Sequence, residues 1–315
     1  FMGVLLDKLG AAGGYAAEAY IVAHEYGHQI QDELGLYERY GDRLPTMAFE
    51  LQADCYAGMW TKYAEDSSLI TLDDGYSPPK TVEQIRKLIE SDEVFLVFNA
   101  LGTPTQTAVQ KYHNAKKVPQ LFVATGATKW NDPKDFPWTM GWQPNYQSET
   151  QIYAKYILKN MPNAKIAVLY QNDDYGKDYL KGFKDGLGAK AASMIVAEDS
   201  YEVTEPTIDS HVVRLKSSSP DVIIFFTTPK FGAQAIKKLG EMNWKPVTIV
   251  SNVSASTATV MRPAGLDNAQ GVISAAYAKD ASDPQWKDDA GMKAFDELLA
   301  KYLPDTNRAD ASAMT

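Results

Sequence analysis

The chain has 315 residues, 45% hydrophobic and 23% charged, an ordinary globular composition with enough apolar residues for two domains or one two-lobed protein. Its formal net charge is -9 and its pI about 5.0. Phosphate binding needs clustered Lys and Arg, so nucleic acid is not an expected partner, and no apolar run reaches the length of a membrane span.

The opening, FMGVLLDKLG, has no basic n-region and no cleavage site, so no signal peptide is visible, and it does not begin with Met. The expectation is a fragment whose natural start, with any export signal, lies upstream. One cysteine, Cys55, cannot close an internal disulfide and leaves the redox compartment open.

The first element, GGYAAEAYIVAHEYGHQIQDELGLY, is Ala-rich, lacks Pro and reaches Gly35, a helix stop. Positions four apart share a helix face, so His24 and His28 can aim two imidazoles at one ion. Glu25 can reach a water on that ion. Zinc lowers the pKa of such a water, and a carboxylate can take its proton for attack on a carbonyl. A second helix, PTMAFELQADCYAGMWTKYA, starts at Pro45 and puts Glu50 and Asp54 on one face. Glu50 suits a third zinc ligand, and Asp54 could orient a ligating His.

AYIVAHEYGHQIQ followed by ELQADCYAGMW resembles the bacterial neutral zinc metallopeptidases. The resemblance implies Zn2+ held by His24, His28 and Glu50, with Glu25 as general base. It covers about the first 64 residues. The family's flanking segments, including the strand that aligns a peptide, are not in this sequence. Peptidase activity is therefore expected to be absent or trivial.

From about Glu65 short apolar runs alternate with helical stretches. SLITLDD, VFLVFNA, PQLFVAT, KIAVLYQ, ASMIVAEDSY, DVIIFFTT and PVTIVSN predict strands. TVEQIRKLIES predicts an amphipathic helix with Val82, Ile85, Leu88 and Ile89 on one side, and TPTQTAVQKYHNAKK, DYGKDYLKGFKDGLG, TIDSHVVRLKSS and GAQAIKKLGEMN predict further helices. Such alternation gives parallel sheets flanked by helices. A Pro-, Trp- and Asn-rich break, NDPKDFPWTMGWQPNYQSE, divides two lobes. Ligands bind such sheets at the strands' carboxyl ends, in the loops NALGTPTQ, ATGATKW, QNDDYGKD, TTPKFG and SNVSAS. Free N–H groups at helix starts there favour a carboxylate. No phosphate loop, dinucleotide turn or Ser-His-Asp set is present. His113 and His211, among polar neighbours, are expected on solvated surfaces. Trp130, Trp138 and Trp142 are either structural or suited to a ring-bearing solute.

DDGYSPPKTVEQIRKLIESDEVFLVFNALGTPTQTAVQKY and VLYQNDDYGKDYLKGF resemble the type I periplasmic binding proteins of the leucine/branched-chain amino acid class, solute receptors of ABC importers. The likeness runs from about Leu69 to the end. It implies a two-lobed, non-enzymatic α/β binding protein, extracytoplasmic, delivering an amino acid or similar small carboxylate to ABC permease components. By this resemblance Gly102, Thr103, Thr105, Gly126, Ala127 and Thr128 line the first lobe. Tyr175 closes over the solute from the second, with further contacts near Thr228 and Asn252.

The resulting division is a zincin-like helical fragment over 1–66 and a binding-protein domain over 67–315. Its first lobe would comprise 69–141 and 272–315, and its second 146–270. The family's first strand and loop are not seen before LITLDD, and the chain stops at RADASAMT, short of a last crossover. A distorted first lobe is therefore expected unless something fills the gap. Three functions compete: solute binding, a zinc peptidase with an α/β sensor, and a chimera of two incomplete domains. No linker separates the parts at YAEDSSLITLDDG, which favours a chimera in origin.

Overall fold

β4 (Ile166–Gln171) and β6 (Val222–Phe226) are almost continuously buried. Side chains of a strand alternate between faces, so an uninterrupted apolar run needs cover on both sides. Ile166, Val168, Val222, Ile224 and Phe226 enter one core, and Ala167, Leu169, Ile223 and Phe225 the other. These strands form the centre of a four-stranded sheet of order β5-β4-β6-β7, all parallel, with β5 (Ile195–Tyr201) and β7 (Val247–Val250) outside them. β5 alternates in burial, as an edge strand does. An isolated parallel bridge joins Ile249 to Ile273.

The computed structural model describes residues 28, 31, 36–40, 74–279 and 283–302. The chain divides into one unit of Phe1–Thr71 and Asp283–Asn307, and another of Leu72–Ser282 and Arg308–Thr315. In the first, His28, Gln31 and Leu36–Tyr40 are helical, and α7 spans Ala290–Tyr302. His24, Glu25, Glu50, Asp54 and nearly all of the expected strand SLITLDD lie outside the described residues.

The second unit carries both sheets. Its first lobe holds α1 (Pro78–Glu90), β1 (Val97–Phe98), α2 (Thr103–Lys116), β2 (Gln120–Val123) and β3 (Thr139–Gly141). The strands pair in parallel in the order β1-β2-β3. Ile85 and Leu88 of α1 are buried, and Val82 and Ile89 pack beside them, the face given by their spacing. A polar chain among the described residues joins helix α2 and strands β2 and β3 of this lobe. Gln120 Nε2 donates to Gln106 Oε1 (2.9 Å), the Thr139 hydroxyl to Gln120 Oε1 (3.1 Å), and Asn114 Nδ2 to Thr139 (2.8 Å).

The second lobe adds α3 (Tyr146–Asn160), α4 (Asp174–Leu187), α5 (Asp209–Lys216) and α6 (Pro229–Glu241) around the larger sheet. The expected break overlaps two elements: β3 lies inside it, and α3 starts before its end. Asn145, read as part of an irregular stretch, is the N-cap of α3 and accepts from the N–H groups of Gln147 and Ser148.

Both histidines expected on solvated surfaces are buried. His113 is fully enclosed, with Nδ1 3.2 Å from the Val118 carbonyl. A carbonyl only accepts, so the proton sits on Nδ1. Nε2 is buried without a partner. Burial pushes the pKa of His113 down to about 4, against the opposing pull of that carbonyl. His211 is held between Glu205 (2.9 Å) and Asp199 (3.1 Å). Charged neighbours in sequence do not place a helical residue outside. The packed face does.

Candidate functional site

Gly102 is the N-cap of α2, and Thr103 begins the helix. The Thr103 hydroxyl is 2.6 Å from that of Thr125, a bond that ties the ends of β1 and β2 together. The Thr105 hydroxyl donates to the Leu101 carbonyl at 2.6 Å, so it serves the helix start. Gly126 is closely packed: a Cβ there would lie 2.2 Å from the Pro144 carbonyl oxygen. Ala127 is buried.

Thr128 holds a carboxylate. Its N–H donates to Asp178 Oδ2 at 2.9 Å, and its hydroxyl to Oδ1 and Oδ2 at 2.9 and 3.0 Å. Gln147 Nε2 completes the set on Oδ1 at 2.6 Å. Beside it, Lys129 Nζ pairs with Asp174 at 3.1 Å. Ala127, Lys129, Asp174, Lys177, Asp178 and Lys181 line an open pocket of about 350 Å³.

Tyr175, expected to close over a solute, is interior, with 2% of its surface exposed. Its hydroxyl donates to the Thr227 carbonyl (2.9 Å) and lies 3.2 Å from Ser251 Oγ. Its ring meets those of Tyr146 and Tyr179 edge-on. Asp173 caps α4 through the N–H groups of Tyr175 and Gly176, which turns Tyr175 beneath the helix. Burial raises its phenol pKa strongly, and burial pushes Tyr146 up to about 12.

Thr228 converges with Gln171, which opens the expected ligand loop QNDDYGKD, and with Tyr201, which was not named among the expected contacts. Its hydroxyl donates to Gln171 Oε1 (3.2 Å), and its N–H donates to the Tyr201 oxygen (3.2 Å). The Tyr201 hydroxyl donates to the same Gln171 oxygen at 3.1 Å. Gln171 Nε2 donates to Asp173 Oδ2 (2.5 Å) and reaches Tyr76 Oη at 3.4 Å. Burial raises the pKa values of Asp173, Tyr201 and Tyr76. Gln171 and Tyr201 are the last residues of β4 and β5, so the carboxyl-end rule applied residue by residue would have found them. Asn252 bonds other groups: its N–H donates to Glu149 (2.7 Å) and its Nδ2 to the Ala275 carbonyl (2.8 Å).

The family model for periplasmic binding proteins matches residues 68–315. This chain belongs to the periplasmic binding protein family. A second family model, for neutral zinc metallopeptidases, matches residues 1–85. The two matches in succession show a metallopeptidase-like segment joined to a binding-protein domain.

Relatives divide the same way. An uncharacterised Mycobacterium tuberculosis protein is 48% identical over 69 residues, 20% of this chain and 24% of that protein. The Leu/Ile/Val-binding protein homolog 3 of Brucella melitensis is 28% identical over 156 residues, 50% of this chain and 40% of its own length. The chain thus spans well under half of either curated relative.

Among solved structures, one described as a possible leucine/isoleucine/valine-binding protein from Rhodopirellula baltica aligns with TM-score 0.65 and 19% identity, covering 79% of this chain and 71% of that one. A branched-chain amino acid ABC transporter protein from Thermus thermophilus with bound valine aligns with TM-score 0.64 and 15% identity, covering 81% and 66%. These likenesses show the fold: parallel sheets flanked by helices in two lobes. Among the described residues no helix is long and apolar enough to cross a membrane.

His28 is the one expected zinc ligand among the described residues. It is helical and half-buried, with Nδ1 2.9 Å from Gln31 Oε1. With Gln31 Oε1 as acceptor, Nδ1 carries the proton, the tautomer in which a neutral imidazole would bind zinc through Nε2. That tautomer suits a zinc ligand, and the other expected ligands lie outside the described residues.

Proposed function

We propose that the binding-protein domain, 67–315, holds an amino acid or similar small carboxylate between its lobes and passes it to ABC permease components outside the cytoplasm. The observation that carries this reading is the set of donors on Thr128. Its N–H and hydroxyl, with Gln147 Nε2, already grip one carboxylate, that of Asp178. A free carboxylate suits the same donors, and charge-assisted bonds of this kind are the strong ones. The fold supports it further, since both lobes present their strand carboxyl ends to one region, where Gln171 meets Tyr76. The Brucella relative is named for binding leucine, isoleucine and valine, and the Thermus thermophilus protein holds valine.

Titration calorimetry against valine, leucine, phenylalanine and benzoate is expected to detect at least one ligand. Thr128→Val should then weaken binding about tenfold or more, the scale of one lost bond to a charged group. Asp178→Asn should strengthen it by relieving competition for Thr128. Binding indifferent to both substitutions would remove Thr128 from the site, and no binding by any of the four would count against the class.

The neutral zinc metallopeptidase match favours a second reading for 1–66. There we propose that His24, His28 and Glu50 hold Zn2+, that Asp54 supports a ligand, and that Glu25 stands where a general base would. A working peptidase must also hold an extended peptide and exclude bulk water around the transition state. We expect zinc uptake, measured by metal analysis and lost in His28→Ala, without cleavage of an unstructured protein substrate. Zinc-dependent cleavage abolished by Glu25→Gln would show instead that the segment is an active peptidase.

A further inference from the structure

We propose that Tyr76 sets which solutes the cleft admits, its ring filling the space beside Gly102 that a ring-bearing solute would need. The inference rests on the solute-binding reading above. Tyr76 lies in the turn GYSPP that leads into α1, outside the loops expected to bind ligand. Its φ is +58°, in the left-handed region that a bulky aromatic side chain seldom enters. Gly75 before it is also left-handed, with φ +56°. Asp74 fixes the turn: Oδ1 accepts from the Tyr76 N–H (2.9 Å), and Oδ2 accepts from the Thr81 hydroxyl (2.5 Å). A non-glycine residue kept in a sparsely populated conformation points to a constraint at its side chain.

That side chain spans the lobes at the strand carboxyl ends. On the first-lobe side its ring lies on Gly102, so closely that a Cβ there would be 2.5 Å from Tyr76 Cε2 and 3.1 Å from Cδ2. On the second-lobe side its hydroxyl is 3.4 Å from Gln171 Nε2. Gln171 is in turn held by Tyr201, Thr228 and Asp173. The phenol therefore lies between a bare glycine backbone and a ring of hydrogen-bonding groups. On this proposal the wild-type cleft takes short aliphatic side chains. Without the Tyr76 ring, the glycine face and the Gln171 amide form a slot for a planar ring with a polar tip.

The test uses the full chain and four carboxylates: valine, leucine, phenylalanine and 4-hydroxyphenylacetate. Tyr76→Gly is the main variant, because glycine relieves the left-handed backbone and favours a folded protein. Tyr76→Ala is the second, with thermal unfolding as the folding control. Both are expected to favour the two aromatic carboxylates over the two aliphatic ones by at least about tenfold relative to wild type, the scale on which apolar pockets discriminate size. Tyr76→Phe, which keeps the ring, should keep aromatic solutes out. A folded Tyr76→Gly with the wild-type order of preference would overturn the role of Tyr76 and leave solute binding intact. If only the variants bind, and only aromatic carboxylates, the wall is confirmed and aliphatic solutes are ruled out. If neither wild type nor any variant binds, both proposals fall.

Discussion

Replacing Gly176 with alanine should destabilise the second lobe by about 3 kcal/mol or more, at the upper end of what overpacking costs. Gly176 is in the first turn of α4, and a Cβ there would lie 2.1 Å from the Gln171 carbonyl oxygen, 2.6 Å from its nitrogen and 2.9 Å from its carbonyl carbon. All three are backbone atoms, so no rotamer change can make room. Nor can the backbone retreat easily. Gln171 is paired with Tyr201 in the ladder, and its carbonyl accepts from the Asp173 N–H at 2.9 Å. The cap adds to the constraint, because Asp173 also accepts from the N–H groups of Tyr175 and Gly176. Shifting α4 outward would break these bonds and move Asp178 relative to Thr128. Denaturant unfolding of the variant should show a lowered midpoint. A stability within about 0.5 kcal/mol of wild type, the range of a neutral surface change, would mean that this close approach does not exist.

Removing the Glu149 carboxylate is expected to cost a similar amount by a different route. Its Oε1 accepts from the Tyr153 hydroxyl (2.6 Å) and the Asn252 N–H (2.7 Å), and its Oε2 from the Tyr179 hydroxyl (2.9 Å). Tyr153 and Tyr179 are buried. The Tyr153 oxygen also accepts from the Ala275 N–H at 3.0 Å, so one carboxylate joins α3, α4 and the segments after β7. Glu149→Ala leaves three donors without their acceptor, at roughly 1 kcal/mol or more each, so about 3 kcal/mol in all. Glu149→Gln should cost less, since its oxygen still accepts and its amide can donate to the Tyr179 oxygen.

The same residue fixes a pH dependence. Burial raises the Glu149 pKa above its ordinary 4.5, and the hydrogen bonds from Tyr153, Asn252 and Tyr179 offset only part of that rise. The folded state then keeps the proton to higher pH than the unfolded chain does. Stability is therefore greatest below about 4.5 as far as this group is concerned, and falls as pH rises through the raised folded value. Unfolding curves taken across that window should show the fall in wild type and lose this component in Glu149→Gln. Equal slopes for the two proteins would mean that the carboxyl is not enclosed.

The sequence by itself determined the α/β class, the parallel pairing and most elements. Those features rest on local patterns. VIIFF has no polar position to offer solvent, so β6 has to be central. The spacing of Val82, Ile85, Leu88 and Ile89 leaves α1 one face to bury. The spacing of His24, His28 and Glu50 is likewise visible as a motif without coordinates. Even Gln171 and Tyr201 were within reach, because strand ends can be read from apolar runs.

Tertiary structure alone decided which polar side chains face the cleft. Tyr175 follows a strand end, as a cleft residue should, yet the Asp173 cap turns it inward, where Tyr146, Tyr179 and the Thr227 carbonyl enclose it. Thr105 has the right neighbours in sequence, but the Leu101 carbonyl takes its hydroxyl. His113 lies among polar residues and is buried all the same, because the face of α2 that packs was set by partners distant in the chain. Tyr76 falls in a stretch that carries the family resemblance but was given no binding role: its place beside Gly102 and Gln171 joins residues 26 and 95 positions apart. Local periodicity fixes which face of an element is apolar. It says nothing of which loops meet, because that depends on how whole elements close on one another.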